Sequence, residues 1–223
     1  SQTFDVSLRG SHEYVTYIKN EPFRLSVTYQ DINRTFGADE GYIRVYNEAG
    51  TVMTSQAIVD DENTSENQVY ATKTLTVSGN NWPEGVYRVE LSGTSDIVWR
   101  KFVTSQRYMS FKHRLFVADD VGFLAEDRQT SFVTNSKSLV FETLHADSAQ
   151  RVTVGSDVIA IPLAHTKVRA TLDADGVVQG ITDAGDVKMT GEGKFALSRG
   201  SFFEPDARSL TVSTNVHDGT LAY

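Results

Sequence analysis

Cysteine is absent from the 223 residues. That excludes disulfides, thiol catalysis and cysteine-ligated metal sites. No apolar run approaches the roughly 20 residues that a membrane-crossing helix needs. Positive charge is also short: 21 Lys and Arg stand against 29 Asp and Glu, a formal net charge of −8. A phosphate backbone is repelled on average by such a chain, so nucleic acid is not an expected partner. The densest basic stretch, 107–114, carries Arg107, Lys112, His113 and Arg114 among Tyr108, Met109 and Phe111. It reads as a strand or connector rather than as a surface for single strands.

Several catalytic signatures are missing as well. There is no Gly-x-Ser-x-Gly elbow. There is no phosphate-cradling loop, because Gly191-Glu192-Gly193 lacks the strand–turn–helix setting that a nucleotide site requires. None of the five histidines, His12, His113, His145, His165 and His217, has the i, i+4 helical spacing of a zinc site. Glycoside hydrolysis needs two carboxylates across a cleft. Such pairs come from distant positions, and Glu90, Glu142, Glu204 and Asp206 are the candidates without any local pattern to single them out. The enzyme reading therefore has the least support.

What is present is a globular composition, 39% hydrophobic and 22% charged, with length for one large or two ordinary domains. Thr, Ser, Val, Asn and Asp are abundant, which suits an exported β-protein. The expected location is extracellular or at the cell surface.

Strand patterns dominate the first hundred residues. Phe4, Val6 and Leu8 alternate; 14–18 and 23–29 follow, separated by Lys19-Asn20-Glu21-Pro22. Residues 42–46 and 51–59 read as a hairpin turned by Asn47-Glu48-Ala49-Gly50. An acidic loop at 60–67 precedes a strand at 69–77. Trp82-Pro83-Glu84-Gly85 then turns into the cleanest alternation in the chain, with Tyr87, Val89 and Leu91 on one side and Val86, Arg88 and Glu90 on the other. A strand at 97–103 completes the set. About eight short strands with turns between them and no helical period predict an antiparallel sandwich.

The Pro-x-Gly turn into a Tyr-containing strand resembles the penultimate strand of immunoglobulin-like and fibronectin-like sandwiches. The likeness covers about 1–105 and lacks the cysteine pair and core Trp of antibody domains, so it implies the broad architecture alone.

The second half resumes the pattern at 115–117, 132–134, 139–141, 151–154, 158–161, 168–172 and 177–181, and next at 210–216. The expectation is an all-β chain of two tandem antiparallel sandwiches: an immunoglobulin-like one over 1–105 and a sandwich or jelly-roll-like one over 106–223, truncated at its C-terminal end. A faint echo links 14–27 with 132–143.

Site candidates are few. Sugar-binding sandwiches stack pyranose rings on exposed aromatics, and Trp82 sits before a proline at a turn. Tyr42, Arg44 and Tyr46 share one strand face. Trp99 falls in phase with the core. Asp173-x-Asp175-Gly176 begins like a calcium loop but lacks the remaining acids; a hairpin turn is the plainer reading. Asn33-Arg34-Thr35 and Asn63-Thr64-Ser65 match the glycosylation sequon. The expected function is a non-catalytic module that binds polysaccharide or another surface protein, without a cofactor unless Ca2+ binds Asp173 and Asp175. The alternatives are a self-associating structural subunit or spacer and a fragment of a polysaccharide-active enzyme. The looked-for resemblance is to surface or polysaccharide-degrading exported bacterial proteins.

Overall fold

The computed structural model describes residues 1–34, 37–60, 62, 71–120, 127–144 and 149–205. β1 (Gln2–Arg9) and β2 (His12–Ile18) are separated by Gly10 at φ 71°. A corner at 19–22 leads to β3 (Phe23–Asp31). β4 (Gly41–Tyr46) and β5 (Val52–Ile58) form the expected hairpin, with Arg44 opposite Ser55. β6 (Lys73–Gly79), β7 (Gly85–Gly93) and β8 (Ile97–Thr104) follow. All eight expected strands are present, and the alternation holds: Tyr87, Val89 and Leu91 are buried while Arg88 and Glu90 reach outward.

Beyond them run β9 (Ser110–Val117), β10 (Ser131–Thr134), β11 (Ser138–Thr143), β12 (Gln150–Val154), β13 (Asp157–Ile161), β14 (Lys167–Thr171), β15 (Val178–Thr182) and β16 (Val187–Ala196). Every pairing among the described residues is antiparallel.

The spine is the β9–β16 pair, and each of its two strands forks on its far edge. The start of β9 pairs with β2 at Phe111 and Ser110, and its end with β1 at Val117. From β2 one ribbon runs on through β7, β4 and β5; from β1 the other runs through β8, β3 and β6. On the other side, 187–191 of β16 pairs with β11, whose neighbour is β14, and its end pairs with β10, from which β15, β12 and β13 follow.

A strand with two successive partners leaves backbone groups between them without a ladder bond, and buried groups of that kind must be satisfied elsewhere. At the β9 fork the Phe116 N–H donates to His12 Nε2 at 2.9 Å, and Arg114 Nε donates to Ser11 O at 2.8 Å. At the β16 fork the Gly193 N–H donates to Ser136 Oγ at 2.9 Å and the Lys194 N–H to Asn135 Oδ1 at 2.8 Å.

One cluster of buried side chains runs through both halves, from Phe23, Trp99, Phe102 and Phe111 to Phe132, Phe141 and Phe195. Trp99 is fully buried, as expected, with its indole N–H bonded to Gly10 O at 2.8 Å.

Three expectations change. β9 begins at Ser110, five residues before the expected 115, so the basic stretch is largely strand. β16 has no counterpart in the sequence reading: Gly191 and Gly193 interrupt its alternation, and its register with β9 shifts between Thr190 and Lys194. The turn at 173–176 is not a hairpin, because β14 pairs with β11 and β15 with β10 and β12. The expected strand at 210–216 lies outside the described residues. In the immunoglobulin arrangement the strand after β7 would lie beside it; here β8 joins the other ribbon and β2 flanks β7.

Candidate functional site

Two turns meet at one end of the first half. The β2–β3 corner at 19–22 and the β6–β7 turn at 79–84 each hold an Asn in the left-handed region, Asn20 at φ 52° and Asn81 at φ 57°. Asn tolerates that conformation better than most residues. Between the turns lies an open cleft of about 480 Å³ lined by Asn20, Glu21, Pro22, Asn80, Asn81 and Trp82.

Trp82 is held in place from below. Its ring stacks on Phe23 at 5.3 Å and 16° and on Tyr87 at 5.3 Å and 19°. A Cβ on Gly79 would come within 2.0 Å of the indole, so only glycine leaves room for it. The Tyr87 hydroxyl donates to Pro83 O at 2.8 Å and fixes the turn, and burial raises its pKa. Glu84 accepts from the Tyr17 hydroxyl and pairs with Lys19 at 3.3 Å. The indole is therefore half-buried and rigid, with an edge on the cleft.

The polar side-chain groups of the cleft's lining residues are three amides, one carboxylate and the indole N–H of Trp82. Each amide both donates and accepts, whereas the carboxylate only accepts. Among the described residues no Lys, Arg or His lines the cleft.

The Tyr42, Arg44 and Tyr46 strip lies on the outer face of β4 and shares no recorded contact with Trp82. Both tyrosine hydroxyls donate to the same carboxylate, Tyr42 to Glu90 Oε1 at 2.7 Å and Tyr46 to Oε2 at 2.9 Å. The bond to Glu90 raises the Tyr42 pKa. Arg44 stacks over Tyr42 at 3.8 Å and Arg88 over Tyr46 at 3.9 Å. From there a row of charge crosses the sheet: Arg88 binds Glu13 at 3.0 Å, Lys112 binds Glu13 at 3.2 Å, and Lys194, opposite Lys112, binds Glu204. The strip is the end of a locked ladder rather than a set of open ring faces.

The remaining candidates are dispersed. Glu90 and Glu204 are held as just described, and Glu142 faces Lys188 at 3.5 Å; Asp206 lies outside the described residues. His12 is buried between Gly10 O and the Phe116 N–H, and burial drives its pKa down to about 3. It is a neutral structural group. His113 and His165 both sit at positive φ, and His145 and His217 fall outside the described residues.

Asp173 and Asp175 are exposed, and Asp175 meets Lys137 at 3.2 Å. Among the described residues the carboxylates that do converge are Asp31, Asp39 and Asp60, with oxygens within 4.8 Å of one another, an arrangement able to hold a metal ion. Asp39 is buried, and its N–H donates to Asp60 Oδ1 at 3.1 Å. Their spacing of 8 and 21 residues follows no loop motif, and only the closeness of the two loops brings them together.

No protein-family model matches the chain, and no curated protein matches it. Among solved structures it is similar to the CBM22-1–CBM22-2 tandem domain of Xyn10C from Paenibacillus barcinonensis, at 8% identity and a TM-score of 0.26, over 81% of this chain and 80% of that one. It is also similar to the VP2 subviral particle of infectious bursal disease virus, at 9% identity and 0.28, over 99% of this chain and 50% of that one. A third is the M60 catalytic domain with CBM51-1 and CBM51-2 of ZmpB from Clostridium perfringens, at 9% and 0.28, over 86% of this chain and 34% of that one. Scores this low assign no function.

Proposed function

We propose that this chain is a non-catalytic, extracellular β-sandwich module that binds glycan, with the Trp82 cleft as its site. The carrying observation is the cleft itself: an anchored indole beside Asn20, Glu21, Asn80 and Asn81. A sugar offers C–H groups for the exposed edge of the indole and hydroxyls, both donor and acceptor, for the amides. The Tyr42 strip supports this reading less, because its rings already carry arginines.

The test is retention on polysaccharide gels of the wild type and Asn80→Ala, a change at an exposed turn residue. Retention of the wild type that is lost in the variant supports the site; equal retention moves it elsewhere; no retention on any gel ends the glycan reading.

One observation favours the structural alternative. Among the described residues β5 pairs with β4 alone and has no charged residue in Val52–Ile58, with Val52 49% exposed. Such edges invite strand pairing. Light scattering across concentrations tests it: mass that grows with concentration and falls back in Ser55→Lys would support assembly.

A further inference from the structure

Resting on the glycan reading, we infer that the Trp82 cleft takes an uncharged saccharide and discriminates against acidic ones. Every lining group bears on this. Asn20, Asn80 and Asn81 are neutral and match hydroxyls in both directions. Among the described residues Glu21 is the one ionisable lining residue, and it is negative. A hydroxyl can donate to Glu21, so a neutral ring gains a charge-assisted bond there. A uronate or sulfate brings a second negative charge to the same wall, where no lining cation offsets it.

Lys19, next to Asn20 in the chain, is 64% exposed and already faces Glu84, itself bound by Tyr17. The whole chain, at −8, adds repulsion of the same sign. Selectivity thus resides in Glu21, which also adds to the affinity that the indole and the amides give a neutral ring.

The experiment is titration calorimetry of the purified chain with cellohexaose, xylohexaose and mannohexaose against hexagalacturonate, at low salt and repeated at high salt, for wild type, Glu21→Gln and Asn80→Ala. The expected result is one neutral hexaose bound about tenfold or more tighter than hexagalacturonate, equivalent to about 1.4 kcal/mol. The gap should narrow in Glu21→Gln and at high salt, where screening weakens the repulsion, and Asn80→Ala should weaken the neutral ligand.

Hexagalacturonate binding as tightly as the neutral sugars, or a gap unchanged by Glu21→Gln, overturns the charge selection while leaving a glycan site standing. If none of the four ligands binds, the glycan reading falls and the selectivity with it. Circular dichroism of each variant confirms that the turn variants fold, since both positions lie outside the core cluster.

Discussion

The two forks solve one problem with different materials. At the β9 fork the freed backbone N–H is met by a buried imidazole, and the gap is packed by His12 edge-on to Phe111 at 5.8 Å and by Arg114. At the β16 fork the acceptors are a hydroxyl and an amide, those of Ser136 and Asn135. Gly191 and Gly193 instead let the 135–136 corner press against the strand: a Cβ on Gly193 would lie 2.4 Å from Asn135 Oδ1 and 2.7 Å from Ser136 N. One fork is built on a side chain that can gain a proton, the other on the absence of side chains. Acid and bulk should therefore act on different strands of the same β9–β16 spine.

The largest effect is expected from Gly193→Val. Neither Asn135 nor the Ser136 backbone can retreat without giving up the bonds to Gly193 and Lys194. Overpacking of this kind costs about 3 kcal/mol, measurable by urea unfolding. A variant as stable as wild type would show that the corner yields and that the glycines are not what makes the fork.

Next comes His12→Leu, which leaves the buried Phe116 N–H without its acceptor at a cost of about 2 kcal/mol. The same residue sets a pH dependence. Its folded-state pKa, about 3, is below the ordinary value of 6.5. As pH falls below 6.5 the unfolded chain takes up the proton first, so stability falls with pH down to about 3 and is fully present above 6.5. His12→Leu should flatten that slope between pH 6.5 and 4.5. Asp5, whose pKa is lowered by its bond to Arg128, adds acid sensitivity in the carboxylate range.

The smallest effect belongs to Tyr14→Phe. The Tyr14 hydroxyl is buried without a recorded partner, and burial raises its pKa. Removing it should leave stability unchanged or raise it by under about 1 kcal/mol. A clear loss would point to an ordered water in the β9 half of the core.

Much of this architecture can be read from the residues, but unevenly. Residues 23–29 of β3 and all of β7 keep the alternation, so their faces and their turns follow from period two. β16, the strand on which the second half hangs, escapes because Gly-Glu-Gly breaks the period where the fork needs small residues. The cleft is half legible: Trp82 stands out before a proline, while Asn20, Glu21, Asn80 and Asn81 look like ordinary turn residues until two turns are placed together. Asp31, Asp39 and Asp60 converge only through the fold.

The placement of the two tryptophans has an optical consequence. Trp99 is sealed in the core with its N–H tied to Gly10, whereas Trp82 borders an open cleft. Their emission should therefore divide into a blue component deaf to aqueous quenchers and a redder one that acrylamide extinguishes. The first reports whether the molecule is folded and the second whether the cleft is occupied, so an unlabelled chain can signal both events in one cuvette.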